Sequence, residues 1–151
     1  MPSPDFLFSL CNGIALVAWV ALALSPPSRR WTPWAWRITG RLLPLAFSVA
    51  YVPLILTNLG GEGGFGSVAE VQALFAVPGA LVAGWVHYLA FDLFVGTWIA
   101  QRSAQLGIRH AFVLPVLLLT CIFGPAGLLG FALLRAAVQP ASLTLRPGVA
   151  A

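Results

Sequence analysis

The sequence has very little charge. Only 8% of its 151 residues are Asp, Glu, Lys or Arg, where a soluble domain carries about 25%. So few charges cannot cover the surface of a water-soluble protein of this size. Lysine is absent, and all eight basic residues are Arg. They are sparse and not interleaved with aromatics along one face, so nucleic acid is not an expected partner. The two cysteines, Cys11 and Cys121, both fall in apolar runs. That pattern contains no disulfide framework and no CxxC site, and it suits thiols used as small buried hydrophobes.

What is present is apolar, at 60% of the chain. Four stretches stand out, at about 6–24, 41–58, 79–100 and 111–134. Each is near the ~20 residues a helix needs to cross the hydrocarbon core. Their periodicity is weak because nearly every face is apolar, as expected where lipid and protein neighbours are both greasy. The expected fold is all-α: an integral membrane four-helix bundle, a single domain over 1–151. The first stretch is read as a retained helix. It lacks a basic region before it, and Ser25-Pro26-Pro27 follows in place of a small-residue cleavage site.

Arginine placement sets an expected orientation. Arg29, Arg30, Arg37 and Arg41 lie at the first connection, and Arg102 and Arg109 at the third. Arg135 and Arg146 follow the fourth stretch, while the middle connection carries Glu62 and Glu70 and no Arg. Connections one and three are therefore expected in the cytoplasm and both termini outside. The bias to Ala, Gly, Pro and Arg associates the chain with a GC-rich bacterium, hence a bacterial inner membrane. Trp31, Trp34 and Trp36 read as an interfacial aromatic belt.

The middle connection is glycine-rich at first: Gly60, Gly61, Gly63, Gly64 and Gly66. Ser67-Val68-Ala69-Glu70 then reads as a capping box, with Val71, Leu74 and Phe75 at helical spacing up to Pro78. A short interfacial helix is expected there.

Two ionisable residues fall inside the third stretch, His87 and Asp92. An Asp at the centre of a membrane helix costs about 3 kcal/mol, so such groups need a reason. Counting from the connections places His87 level with Tyr51 and with Gly124-Pro125, and Asn12 in the same layer. Asp92 falls nearer Leu119 and Thr120. Pro125 donates no backbone bond and leaves the Cys121 carbonyl free. A polar layer beside a helix break is a candidate small-molecule site. His87 and Asp92 are about 140° apart around one helix, so they do not form a direct dyad. Tyr88, one turn from Asp92, is placed to donate to it. Each of these groups has a plainer use, as a hydrogen bond that fixes helices together. His110 lies at the other end of the stretch, so no metal site or bis-His haem is expected.

Two runs resemble a known family. Trp85-Val86-His87-Tyr88-Leu89-Ala90-Phe91-Asp92-Leu93-Phe94-Val95-Gly96 and Leu119 to Leu129 look like hallmarks of the ABA-deficient-four-like membrane proteins, and the opening Phe8 to Asn12, with Trp19 and Pro26, is similar to that family's first helix. Thr97 and Gln101 depart from the family's pattern. Its plant members are needed to make neoxanthin from violaxanthin. The resemblance implies a carotenoid or other isoprenoid ligand, and leaves open an enzyme or a non-catalytic protein that binds isoprenoid or stabilises a partner membrane enzyme. As an isomerisation, the reaction would need no redox cofactor. On that reading Asp92 is the acid and His87 the base. Asn12, Tyr51, Tyr88, Thr120, Gly124 and Pro125 would bind substrate.

Overall fold

A computed structural model describes residues 2–59 and 63–138. Gly60, Gly61, Glu62 and Arg146 lie outside the described residues. Those described are helical throughout, apart from short turns. Helix α1 spans Pro4–Ala23, α2 Thr32–Arg37, α3 Leu43–Asn58, α4 Val68–Phe75, α5 Pro78–Gln105, α6 His110–Phe123 and α7 Pro125–Val138. A π-helical segment, Ile38–Leu42, joins α2 to α3 without interruption. Three helical stretches are long and apolar enough to cross a membrane: Pro4–Ala23, Thr32–Asn58 and Pro78–Gln105.

Local chemistry sets most boundaries. Ser3 caps α1, its hydroxyl accepting from the Phe6 amide at 3.3 Å. Pro4 and Pro78 sit in first turns, where a missing N–H costs nothing. At α4 the Ser67 hydroxyl accepts from the Glu70 amide at 3.2 Å. The Glu70 carboxylate reaches back one residue further than a capping box requires, to the Gly66 amide at 2.9 Å. Helix α5 ends in a Schellman turn: Gly107 at φ +69°, with the Ile108 amide on the Ser103 carbonyl at 2.9 Å.

The second helix begins at Thr32, not near 41, because Pro33 opens it and the Trp31–Trp36 run joins it. Its π-helical turn has a cause in the sequence. Pro44 lacks an N–H and its ring crowds the Gly40 carbonyl; one wider turn relieves that clash, and the Leu43 amide bonds back five residues to Ile38.

Helix α5 is the hub, and α3, α1 and α6 pack around it. Glycines let neighbours close in. The Trp19 ring of α1 lies on Gly96, and the Thr97 side chain of α5 lies on Gly40. A Thr97–Thr39 hydroxyl bond of 2.8 Å pins that crossing. Phe75 of α4 covers Gly84. At the arginine-bearing end, His110 Nε2 meets the Ala23 carbonyl at 2.8 Å and ties the start of α6 to the end of α1.

The stretch 111–134 is not one helix. It breaks at Gly124, and α7 doubles back beside α6. Gly127 sits on Thr120, Gly130 faces Leu119, and Phe131 meets Trp98 of α5 at 5.4 Å. A continuous helix would carry Phe131 away from Trp98, toward the start of α5. Each half has 14 residues, roughly 21 Å of helix, which is short of the ~30 Å hydrocarbon core.

Candidate functional site

The site is built around that break. Gly124 has φ +35° and ψ −89°, a conformation that L side chains rarely adopt. The Asp92 carboxylate lies directly on its α-carbon: a β-carbon there would come within 2.5 Å of Oδ1. Two independent reasons thus require glycine at 124.

The break exposes both helix ends. At the C-terminus of α6 the last carbonyls lose their intrahelical donors. Gly124 N–H bonds to the Thr120 carbonyl at 2.9 Å. The Tyr88 hydroxyl donates to the Ile122 carbonyl at 2.7 Å and reaches the Cys121 carbonyl at 3.3 Å. Tyr88 is thus spent mainly on the broken backbone, although its hydroxyl also lies within electrostatic reach of Asp92. At the N-terminus of α7 the helix dipole points its positive end at the tip of the turn, where Asp92 sits. Asp92 is 8% exposed, and its Oδ2 has no hydrogen-bond partner among the described residues.

The depth assignment shifts by one turn. The break pairs with Asp92 and not with His87, because α5 runs on to Gln105 and so moves the antiparallel register of α6. Tyr88, one turn above Asp92, then lies opposite Ile122.

Beside this centre is a cleft of about 440 Å³ between α1, α5 and α6, lined by Asn12, Trp19, Trp85, Tyr88, Cys121 and Ile122 among others. Its polar groups come from three helices. Asn12 Oδ1 accepts from Trp85 Nε1 at 2.9 Å, which fixes the indole at the mouth. Trp85 and Tyr88 rings lie 5.4 Å apart along the wall. Thr120 is fully buried, its hydroxyl returned to the Val116 carbonyl at 2.8 Å, and Gly127 rests on it. Pro125 is exposed at the start of α7.

His87 and Tyr51 belong to a different face. His87 is exposed, stacked on Phe91 at 4.6 Å, with the Tyr51 ring at 5.6 Å. The sequence candidates therefore form two groups. Asn12, Tyr88, Asp92 and Gly124 gather on the side of α1 and α6; Tyr51 and His87 gather on the side of α3. Trp85 and Cys121 were not among the candidates. Trp85 carried a signal, since it shares a helix face with Asp92; Cys121 carried none beyond its place before the break.

A family model described as ABA DEFICIENT 4-like matches residues 6–131. Neither the curated proteins nor the solved structures contain a significant match.

Proposed function

The chain belongs to the ABA DEFICIENT 4-like family, and from that premise we propose that it is a multi-pass membrane protein that binds an isoprenoid-class ligand, a carotenoid among the candidates, with an oxygenated end of the ligand beside Tyr88 and Asp92. The observation that carries this reading is the buried, unpartnered Oδ2 of Asp92, one helical turn from Tyr88 and behind the Tyr88 and Cys121 wall of a largely apolar cleft that Asp92 itself does not line. A buried polar oxygen without a partner is costly, and a ligand hydroxyl would satisfy it. The long apolar remainder of such a ligand suits a cleft bounded by lipid.

Binding is preferred to acid–base isomerisation by a His87–Asp92 pair. Isomerisation needs both groups on one substrate, yet Asp92 faces Gly124 while His87 faces Tyr51 and Phe91. A second reading keeps Asp92 alone in both roles: its carboxyl gives a proton to an epoxide oxygen as the C–O bond opens, and the carboxylate left behind takes the proton from the neighbouring carbon; the same unpaired Oδ2 favours it. Loss of turnover in Asp92→Asn with turnover retained in Leu89→Ala would support that version.

The same proposal includes a topology. The stretches Pro4–Ala23, Thr32–Asn58 and Pro78–Gln105 each cross the membrane, and α6 with α7 enters and leaves from one side as a hairpin. Residue 138 then lies on the arginine-bearing side, in the cytoplasm of a bacterial cell, and the N-terminus lies outside.

The test is gentle purification from the native membrane, followed by absorption and mass spectrometry of the co-extracted lipids. The expected result is a stoichiometric isoprenoid that falls away in Asp92→Asn and in Tyr88→Phe. An empty wild-type protein, or equal retention in both variants, would remove the cleft as the ligand site.

A further inference from the structure

The other face of α5 holds a second constellation that the cleft does not use. Between the π-helical turn and α5 lies a cavity of about 170 Å³, lined by Trp36, Gly40, Arg41, Phe94, Thr97, Trp98 and Gln101. Hydrogen-bond donors line it from Trp36, Arg41, Thr97, Trp98 and Gln101, and among the described residues Thr97 alone of these is already bonded, to Thr39 and to the Leu93 carbonyl. Arg41 has neither an ion pair nor a hydrogen bond among the described residues, and neither does the Gln101 amide. Trp36 Nε1 is buried and also without a partner.

Among the described residues no carboxylate pairs with them. Asp5 and Glu70 belong to the opposite end of the helices, and Asp92 faces Gly124. A buried indole N–H without a partner and an exposed arginine without a carboxylate line the same small space, and together they describe a place for an oxyanion.

The cavity continues into a groove. A second space of about 390 Å³ shares Gly40, Arg41 and Phe94 with it and adds Pro44, Leu45, Ser48, Ala90 and Phe91. This groove is mostly apolar and runs along α5 toward His87. It opens sideways, where Phe91 is 57% and Phe94 51% exposed. The order is charged donors at the arginine-bearing end, then aromatic and aliphatic wall toward the middle of the helix. Helix α5 is roughly 42 Å long, about 12 Å more than the hydrocarbon core, so Gln101 falls near the membrane boundary. Arg41 reaches it by extending along the helix.

We propose that this groove is a site for an anionic phospholipid of the surrounding bilayer, its phosphate held by Trp36, Arg41 and Gln101 and one acyl chain lying along Phe94 and Phe91. A bilayer phospholipid is chosen because its head and chain fall in the same order and at the same depth as the donors and the aromatic wall. The preference for negative charge follows from Arg41, which lacks a carboxylate to neutralise it. The π-helical turn shapes the site: it widens the backbone at Gly40, and Gly40 lets Thr97 pack in as part of the small cavity's wall.

The experiment is native mass spectrometry of the full chain equilibrated with vesicles of phosphatidylglycerol or of phosphatidylcholine with the same acyl chains. One phosphatidylglycerol is expected to stay bound, about tenfold more tightly than phosphatidylcholine. Arg41→Gln should lose about that tenfold, Arg41→Lys should keep most of it, and Trp36→Phe should lose about fivefold through one donor. Arg29→Gln, in the turn before α2, should change nothing. Equal retention of the two lipids by the wild type would overturn the proposal. So would undiminished phosphatidylglycerol binding in Arg41→Gln. Displacement by inorganic phosphate at millimolar concentration would also overturn it, because the chain would then contribute nothing. If Arg41→Gln does not fold in detergent, Trp36→Phe and Gln101→Leu carry the same decision.

Discussion

Gly124→Ala tests the centre of the fold and the site together. The perturbation adds one methyl group at φ +35°, in line with the Asp92 carboxylate. The backbone part costs about 1–2 kcal/mol for an L residue held at positive φ. The steric part costs about 1–3 kcal/mol, because a carboxylate buried between helices cannot retreat freely. The sum is about 2–5 kcal/mol. The two parts separate in a double-mutant cycle. With Asp92→Ala in place, the β-carbon at 124 meets no carboxylate, and only the backbone part remains. The coupling should therefore be about 1–3 kcal/mol, read from equilibrium unfolding in mixed detergent micelles. Strict additivity would refute the contact between Asp92 and the break. A cost below about 1 kcal/mol for Gly124→Ala alone would refute the positive-φ turn itself.

Other consequences follow from the same geometry. Gly96→Ala should destabilise by about 1–3 kcal/mol, since its new β-carbon would meet the Trp19 ring, whereas Gly13→Ala meets open space inside α1 and should stabilise by about 0.5–1 kcal/mol in the same unfolding assay. Tyr88→Phe should cost about 1 kcal/mol for the lost bond to the Ile122 carbonyl and raise hydrogen exchange in the first turn of α7. For topology, Ala137→Cys in a background with Cys11→Ala and Cys121→Ala should react with impermeant maleimide from the same side as Ser28→Cys. Ser67→Cys should react from the opposite side; labelling of Ala137→Cys together with Ser67→Cys would mean that α7 runs on across the membrane.

Much of this was legible in the residues. The apolar stretches marked the first three long helices, because a membrane-length run has few alternative structures, but they placed the start of the second nine residues late, at 41 in place of Thr32, and ended the third at 100 in place of Gln105. Ser67 and Glu70 gave the start of α4, and the helical angle between His87 and Asp92 put them on different faces. The doubling back of α7 was harder to see. Gly124-Pro125 signals a break, but a break bends a helix by any angle, and hydropathy reads the same for a spanning helix and a hairpin. The small residues after it carry the signal: Gly127 and Gly130 lie against Thr120 and Leu119 only if the chain turns back. The π-helical turn was also hidden. Pro44 announces a disturbed backbone bond, while the choice between a kink and a wider turn depends on Thr97 pressing on Gly40 from another helix.

The hairpin also changes how the arginines are counted. With α6 and α7 read as one crossing, Arg135 opposed the charge bias set by Arg29, Arg30, Arg37, Arg41, Arg102 and Arg109. With α7 folded back, Arg135 joins that end, and the asymmetry strengthens. The fold then has to solve a different problem, since two helix ends meet inside the helical layer. A donor is needed for the carbonyls of α6, while the Gly127 and Leu128 amides of α7 turn back on the Gly124 carbonyl. Tyr88 and Asp92 are one turn apart on a single face of α5, so one rigid helix supplies that donor and sets a carboxylate against the turn. On this argument the polar pair first makes the hairpin possible. The hydroxyl is used by the backbone, but the carboxylate Oδ2 is buried without a hydrogen-bond partner among the described residues. That oxygen is the reason a ligand is proposed here, because a device built only to close the break would leave no buried polar atom over.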